Sequence, residues 1–515
     1  MNKISEADNI NSKSIILLLI LIILITLMIQ TWLWDHITDD AYITYRYVER
    51  ISNGDGFTFN PGERVEGFSN PLWILILSAF KLITPFELID IARVLGVLSS
   101  CATITLMWIT IKHLSPKDKE NIFIIAAFML LASPGFHIYA SAGLEGPLLS
   151  LLILAGIYYT LCADLKRQYI AALCFGLAGI VRPEGPLYGI IWFILVMRIE
   201  NIKYLTFKKQ LLRFLIFISP VAAYQLFRIL YFGALLPNTA IAKQSGTYGT
   251  LFGLPYLFPW MMALGGPVVA FLFIFYLIKG NIKHNKFFFS AMGPIISAII
   301  FIIYAQGDWM PFGRFMLPVW PLILICFSVW LNSFLDDINI IKTFNKKHLI
   351  SFLLLIALVL SSLFAWGNQI VSYVLNEELN MLMRGNDQVI VGEWLADNIE
   401  PGSSVATIRL GGISYMAPEL IFWDLLGLTD KQQALFISEG SPGGTVNSPV
   451  VRRKPDIIAA VKAPTTWCYT EDDEFLLYLN KNYNFIKSFP QGNFGAFDIW
   501  IYNESMQVLS DNYMD

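Results

Sequence analysis

Long apolar runs separated by short polar loops fill the first 366 residues, and the pattern then changes. The runs fall at residues 14–34, 88–111, 121–134, 146–162, 169–181, 186–197, 211–230, 255–278, 288–305, 315–334 and 349–366. The first, SIILLLILIILITLMIQTWLW, carries no charge and is long enough to cross a hydrocarbon core of roughly 30 Å. The series predicts a polytopic α-helical membrane protein with about eleven spans. The stretch 71–84 is apolar but short and holds Lys81, which fits an interfacial or re-entrant helix better than a span. Beyond residue 366, strand-like runs (Ser404–Ile408, Leu420–Asp424, Pro455–Ala460, Asn484–Phe489, Ala496–Tyr502) alternate with helical stretches such as Gln388–Asn398 and Asp473–Leu479. That alternation predicts a small soluble α/β domain over 367–515, set beside a membrane core over 1–366. No repeat of about 20–50 residues is visible.

Composition agrees with the pattern: 56% of residues are hydrophobic, 14% aromatic and only 15% charged. The first run is too long for a signal-peptide core, and bulky Thr31-Trp32-Leu33-Trp34 follows where a cleavage site needs small residues. It therefore reads as a retained helix. A net charge of −3 with no basic arm gives no reason to expect nucleic acid. Four of the five cysteines lie in apolar runs and leave Cys468 alone, so neither a disulfide framework nor a metal-spaced cluster is present in the sequence.

Loop charge sets the expected orientation. With the N-terminus inside, the inner loops collect Lys112, Lys117 and Lys119; Lys166 and Arg167; Arg198, Lys203, Lys208, Lys209 and Arg213; Lys279, Lys283 and Lys286; and Lys342, Lys346 and Lys347. The outer loops 35–70, 134–146, 182–186, 231–254 and 306–314 are much poorer in Lys and Arg. The bias predicts an inside N-terminus and a C-terminal domain on the outer side.

The densest polar segment is the first outer loop, with seven carboxylates. Asp39 and Asp40 open a predicted helix, Thr38–Ile51, where capping or favourable contact with the helix dipole could explain one of them. Adjacent helical side chains point about 100° apart, so the two should not share a role. One would accept a proton, and the other would bind a substrate hydroxyl, a metal or a basic neighbour such as Arg46. Glu66, before the return to the membrane at Pro71, is either a second polar anchor or a solvated loop acid. Further outer positions are Glu145 in SAGLEG, Arg182 in VRPEG, Lys243 after YFGALLPNT, and Asp308 with Arg314 in GDWMPFGRF. For the last two the alternative is a mutual ion pair closing the loop. For Trp309 it is an interfacial belt aromatic.

This inventory suits movement of a group away from a phosphate. Cations neutralise the leaving phosphate while a carboxylate takes a proton from the acceptor hydroxyl. No Gly-x-Ser-x-Gly elbow, His-rich metal motif or P-loop supports a hydrolase. A transferase on the outer face would need its donor sugar carried on a lipid.

Taken together, DDAYITYRYVERISNGDGFTFNPGERVEGFSNPLW, SAGLEGPL, RPEG, YFGALLPNTAIAK, GDWMPFGRFMLP and SVATIRLGGISY…DLLGLTD resemble, in order, polyprenyl-phosphate-sugar-dependent glycosyltransferases of the GT-C fold. The likeness is to the group of terminal arabinofuranosyltransferases of actinobacterial arabinogalactan and their bacterial relatives. It implies a GT-C membrane core in a bacterial cytoplasmic (inner) membrane, with the C-terminal domain extracytoplasmic, and transfer with inversion. Asp39 or Asp40 would be the general base, and Glu66, Glu145, Arg182, Lys243, Asp308 and Arg314 would line the donor phosphate and substrate site. A divalent cation, if one takes part, would sit on Asp39 or Asp40. The donor would be a polyprenyl-phosphate sugar, arabinose or another, and the acceptor an envelope glycan or lipid, lipopolysaccharide included. Two other classes compete: a lipid-linked-glycan transporter or flippase, which would put ionisable residues mid-helix and show inverted repeats, and a non-catalytic envelope scaffold, which would tolerate loss of Asp39 and Asp40.

Overall fold

Where the backbone has no water to bond, it must satisfy its own polar groups, and the apolar runs accordingly fold as helices. A computed structural model describes residues 2–34, 37–162, 164–197, 206–243, 253–279, 285–308, 310–337, 344–375, 386–441, 444–462, 474–490 and 496–509. Trp309, Cys468, Arg198, Lys203, Lys283, Lys342 and Asp473 lie outside the described residues. The chain divides into two compact units: residues 1–35, 92–223 and 248–371 form one, and residues 36–91, 224–247 and 372–515 the other.

The first unit is helical. Among the described residues of the chain, five helices are long and apolar enough to cross a membrane: Leu88–Leu114, Phe207–Phe232, Lys286–Tyr304, Pro311–Leu335 and Phe352–Val371. The number rises to seven if each of two bent pairs is one span, and Ile16–Trp32, Pro71–Ile83, Gly146–Leu161 and Gly185–Val196 are shorter apolar helices. Burial ranks them. The span Pro311–Leu335 is 94% buried and lies at the centre of its unit, whereas Phe207–Phe232 is only 6% buried. Close helix approach depends on small residues. A Cβ at Gly96 would overlap the Ala140 carbonyl, and one at Gly293 would stand 2.6 Å from the Trp192 backbone.

Two expectations change here. Residues 134–146 were expected as a loop, yet Pro134–Ser141 is a helix, bent by 64° from Lys119–Leu131. Proline fits the first turn of a helix and breaks the one before it, so Ser133-Pro134 turns the chain without ending helical structure. The run 255–278 is likewise two helices meeting at 86°. Gly265 and Gly266 both take the left-handed conformation (φ +95° and +98°), which ends the first helix, and Pro267 starts the second.

The second unit contains the helices Asp39–Ser52 and Pro71–Ile83 and a mixed α/β segment. Thirteen residues give Pro71–Ile83 a length of about 20 Å, too short to span. Strands β1 (Ser404–Thr407), β2 (Ile421–Asp424), β3 (Ile457–Lys462), β4 (Tyr483–Pro490) and β5 (Ala496–Tyr502) form a sheet in the order β2-β1-β3-β5-β4. β1 runs parallel to β2 and β3, while β5 is antiparallel to β3 and β4. β1 and β3 are buried on both faces, through the consecutive residues Val405 and Ala406 and Ile457, Ile458 and Ala459.

Candidate active site

Thr38, extended at φ −85° and ψ 147°, is the N-cap of Asp39–Ser52, so Asp39 and Asp40 occupy its first turn. Neither acid is the cap. Both are half-buried. Asp39 instead reaches the α/β segment: its Oδ1 accepts the Gly412 N–H at 2.9 Å, and the Gln388 amide, with its NH₂ toward the carboxylate, donates to it as well. Gly411 lies so close to Asp39 that a Cβ there would overlap its carboxylate. Tyr45 packs edge-on against Tyr42 and Tyr415, which tilt against each other, with centroids 5.5–5.9 Å apart.

Arg46 does not serve as the basic neighbour expected for the acid pair. Its guanidinium is buried between Phe59 and Phe422 and donates to the carbonyls of Phe59 (3.0 Å), Leu420 (2.8 Å) and Ser414. Burial, then the charge of Arg50, pulls its pKa down to about 9. Its work is to fasten Asp39–Ser52 to the segment 414–422.

Glu66 is 2% exposed, which removes the reading as a solvated acid. Its Oε2 accepts from Arg228 Nε at 2.6 Å, and its Oε1 from Tyr224 OH at 2.7 Å and Arg228 Nη2 at 3.0 Å. Its carbonyl accepts the Asn238 N–H. The Asn238 amide then donates to the carbonyls of Gly427 (2.7 Å) and Leu428 (3.0 Å). That last loop is closed by buried Asp424, which accepts the N–H groups of Leu426 (2.8 Å) and Thr429 (3.0 Å). Burial pushes the Asp424 carboxyl up to about 6 against the pull of those N–H groups. Lys243 is exposed and caps the C-terminus of the short helix Asn238–Ala242 in this unit.

The helical unit holds the other set. Arg182 donates from Nη1 to Glu145 at 2.6 Å and from Nε to Glu184 at 2.5 Å. Arg314 grips Asp308 with two bonds, of 2.8 and 3.1 Å. Both guanidiniums lie over the Phe315 ring, at 5.4 and 5.3 Å. Burial works to lower the pKa of Arg182, but the Glu184 and Glu145 charges outweigh it and move it up. Two cations thus face three carboxylates. Glu145, Arg182 and Arg314 line a small cleft whose other wall is apolar, with Phe136, Leu144, Pro147 and Leu317. The Ser150 hydroxyl, which also lines it, is buried without a hydrogen-bond partner.

Glu184, Tyr224 and Arg228 were not among the expected site residues. Arg228 did carry a signal, as a charge inside an otherwise apolar run. Among the described residues no three His, Cys, Asp or Glu side chains could together hold a metal ion. A divalent cation on Asp39 or Asp40 would take most of its ligands from water or substrate.

Comparison with known proteins fits this picture. A family model described as "Domain of unknown function (DUF8728)" matches residues 379–507, the α/β segment. The terminal beta-(1->2)-arabinofuranosyltransferase of Corynebacterium glutamicum is 29% identical over 242 residues, which are 42% of this chain and 34% of that protein. This chain therefore covers about a third of the length of that relative. The crystal structure of ArnT from Cupriavidus metallidurans bound to undecaprenyl phosphate superposes with a TM-score of 0.58 at 11% identity, over 93% of this chain and 97% of that one. The apo oligosaccharyltransferase of Archaeoglobus fulgidus gives 0.57 at 12% identity, over 93% and 74%. The fold is that of the GT-C membrane glycosyltransferases, and the chain is a multi-pass membrane protein with a small C-terminal sheet.

Proposed function

We propose that this chain is an inverting membrane glycosyltransferase. It moves a sugar from a polyprenyl-phosphate donor to an envelope glycan or lipid acceptor on the outer face of the cytoplasmic membrane. The observation that carries this reading is the cleft in which Arg182 and Arg314 stand beside an apolar wall. An anionic head on a hydrocarbon chain is the ligand such a surface suits, since guanidinium groups match phosphate geometry and the wall takes the isoprenoid. A guanidinium has five donors, enough to hold a carboxylate and a phosphate together. The undecaprenyl phosphate bound to ArnT, which shares the fold, supports the same ligand class.

In this mechanism the acceptor hydroxyl gives its proton to a carboxylate as its oxygen attacks the anomeric carbon. The bond from that carbon to the phosphate oxygen breaks, and Arg182 and Arg314 hold the leaving phosphate with the N–H donors that their carboxylates leave over. Asp39, bound to the Gly412 N–H, fixes the start of the helix Asp39–Ser52, and Asp40 beside it takes the base role. Glu145 and Asp308 orient the guanidiniums, and Glu66 orders the loop before Pro71 through Arg228. The Lys and Arg bias of the loops supports an extracytoplasmic α/β domain. Mass spectrometry of envelope glycans and lipids from a deletion strain tests the function. A product lighter by one sugar is expected, and an unchanged envelope contradicts it.

A further inference from the structure

Arg314 follows a backbone conformation that side-chain-bearing residues avoid. Phe312 sits at φ +58° and Gly313 at +69°. Glycine adopts this region freely, whereas a bulky residue there is an outlier that surrounding structure must impose. The structure shows what imposes it. The Phe312 N–H donates to Gln369 Oε1 at 2.6 Å, and the Pro311 carbonyl accepts the Tyr139 hydroxyl at 2.8 Å. The Phe312 ring is buried against Trp366, and the Trp260 ring leaves no room for a Cβ at Gly313. The next residue, Arg314, is thereby directed onto Asp308 and over the Phe315 ring.

We propose that Gln369 and Tyr139 are positioning residues: they hold the left-handed Phe312-Gly313 turn and so aim the Arg314 guanidinium into the cleft. Their service to the donor rests on the assignment of Arg314 to the donor phosphate. The positioning itself does not. A guanidinium misaligned by an ångström loses the second bond of a fork, so the turn governs how well Arg314 can meet a phosphate.

The test uses the full chain in lipid nanodiscs with two measurements. Phenylglyoxal modification of Arg314 is followed by peptide mass spectrometry, with Arg182, held by Glu145 and Glu184 rather than by the turn, as the internal reference. Binding of undecaprenyl phosphate is measured on the same samples. Gln369→Ala should raise the modification rate of Arg314 about fivefold relative to Arg182 and weaken undecaprenyl phosphate binding about tenfold, the scale of one lost hydrogen bond. Gln369→Glu, which keeps an acceptor for the Phe312 N–H, should restore both. Tyr139→Phe should move both in the same direction as Gln369→Ala and serves if that variant does not fold. Unchanged Arg314 reactivity in both variants, or equal acceleration at Arg182, overturns the positioning role. If the wild-type chain binds no undecaprenyl phosphate, the donor reading falls, while the labelling still decides the positioning.

Discussion

Asp308 and Arg314 lie six residues apart on one loop, within reach of the mutual pair that their spacing suggests, whereas the pairing of Arg182 with Glu184, two residues on, was not expected. The Glu66–Arg228 pair closes across 162 residues and the Asp39–Gly412 bond across 373. Nothing local in the sequence encodes either. At Arg314 the test is the shape of the cation. Arg314→Lys keeps the charge but cannot fork, and should lower transfer from a lipid-phosphate sugar about tenfold or more with the protein still folded. A thermal midpoint and a transfer rate measured on the same preparation check this; full transfer by Arg314→Ala would remove the residue from the donor site.

Among the elements, helices and strands with a clear period emerged within a few residues of where the pattern put them, as β5 and Gly146–Leu161 show. The bends did not, because a proline that starts one helix also ends another and the apolar pattern runs straight through. Two predictions belong to this scale. Gly411→Ala pushes a methyl into Asp39, so it should unseat the start of Asp39–Ser52. Activity should fall by at least about tenfold while the sheet, followed by protection of β1 and β3 in hydrogen exchange, stays intact; unchanged activity would mean that the contact yields freely. The second concerns pH. Asp424 binds its proton more tightly folded than unfolded, because burial lifts its pKa to about 6. The stability this confers is complete below the ordinary aspartate pKa of about 3.9 and is lost as pH rises through about 6. The melting temperature of the wild type minus that of Asp424→Asn should therefore fall between about pH 4 and pH 7. A difference that stays flat or rises contradicts it.

For the whole molecule, the alternation of apolar runs and polar loops already pointed to a polytopic membrane protein with a terminal α/β domain, since membrane solvation permits little else. The GT-C likeness came from ordered loop motifs rather than from hydropathy, which many transporters share. The orientation is tested with an impermeant maleimide. A single cysteine placed at Gly62, in the first loop, and another at the exposed Leu477 of the α/β domain should both be labelled in intact spheroplasts. Labelling only after lysis would reverse the topology and remove the need for a lipid-borne donor. The most direct measurement of the central claim is transfer in vitro, with purified full-length protein, a polyprenyl-phosphate sugar and an envelope lipid extract. Wild type should transfer the sugar with inverted anomeric configuration. Asp40→Asn should lose about 10²–10⁴-fold in rate, the usual contribution of a general base, and Asp39→Asn, which keeps the acceptor for the Gly412 N–H, should lose less. No transfer by the wild type with any polyprenyl-phosphate sugar, or near-wild-type rates from both variants, would contradict the account.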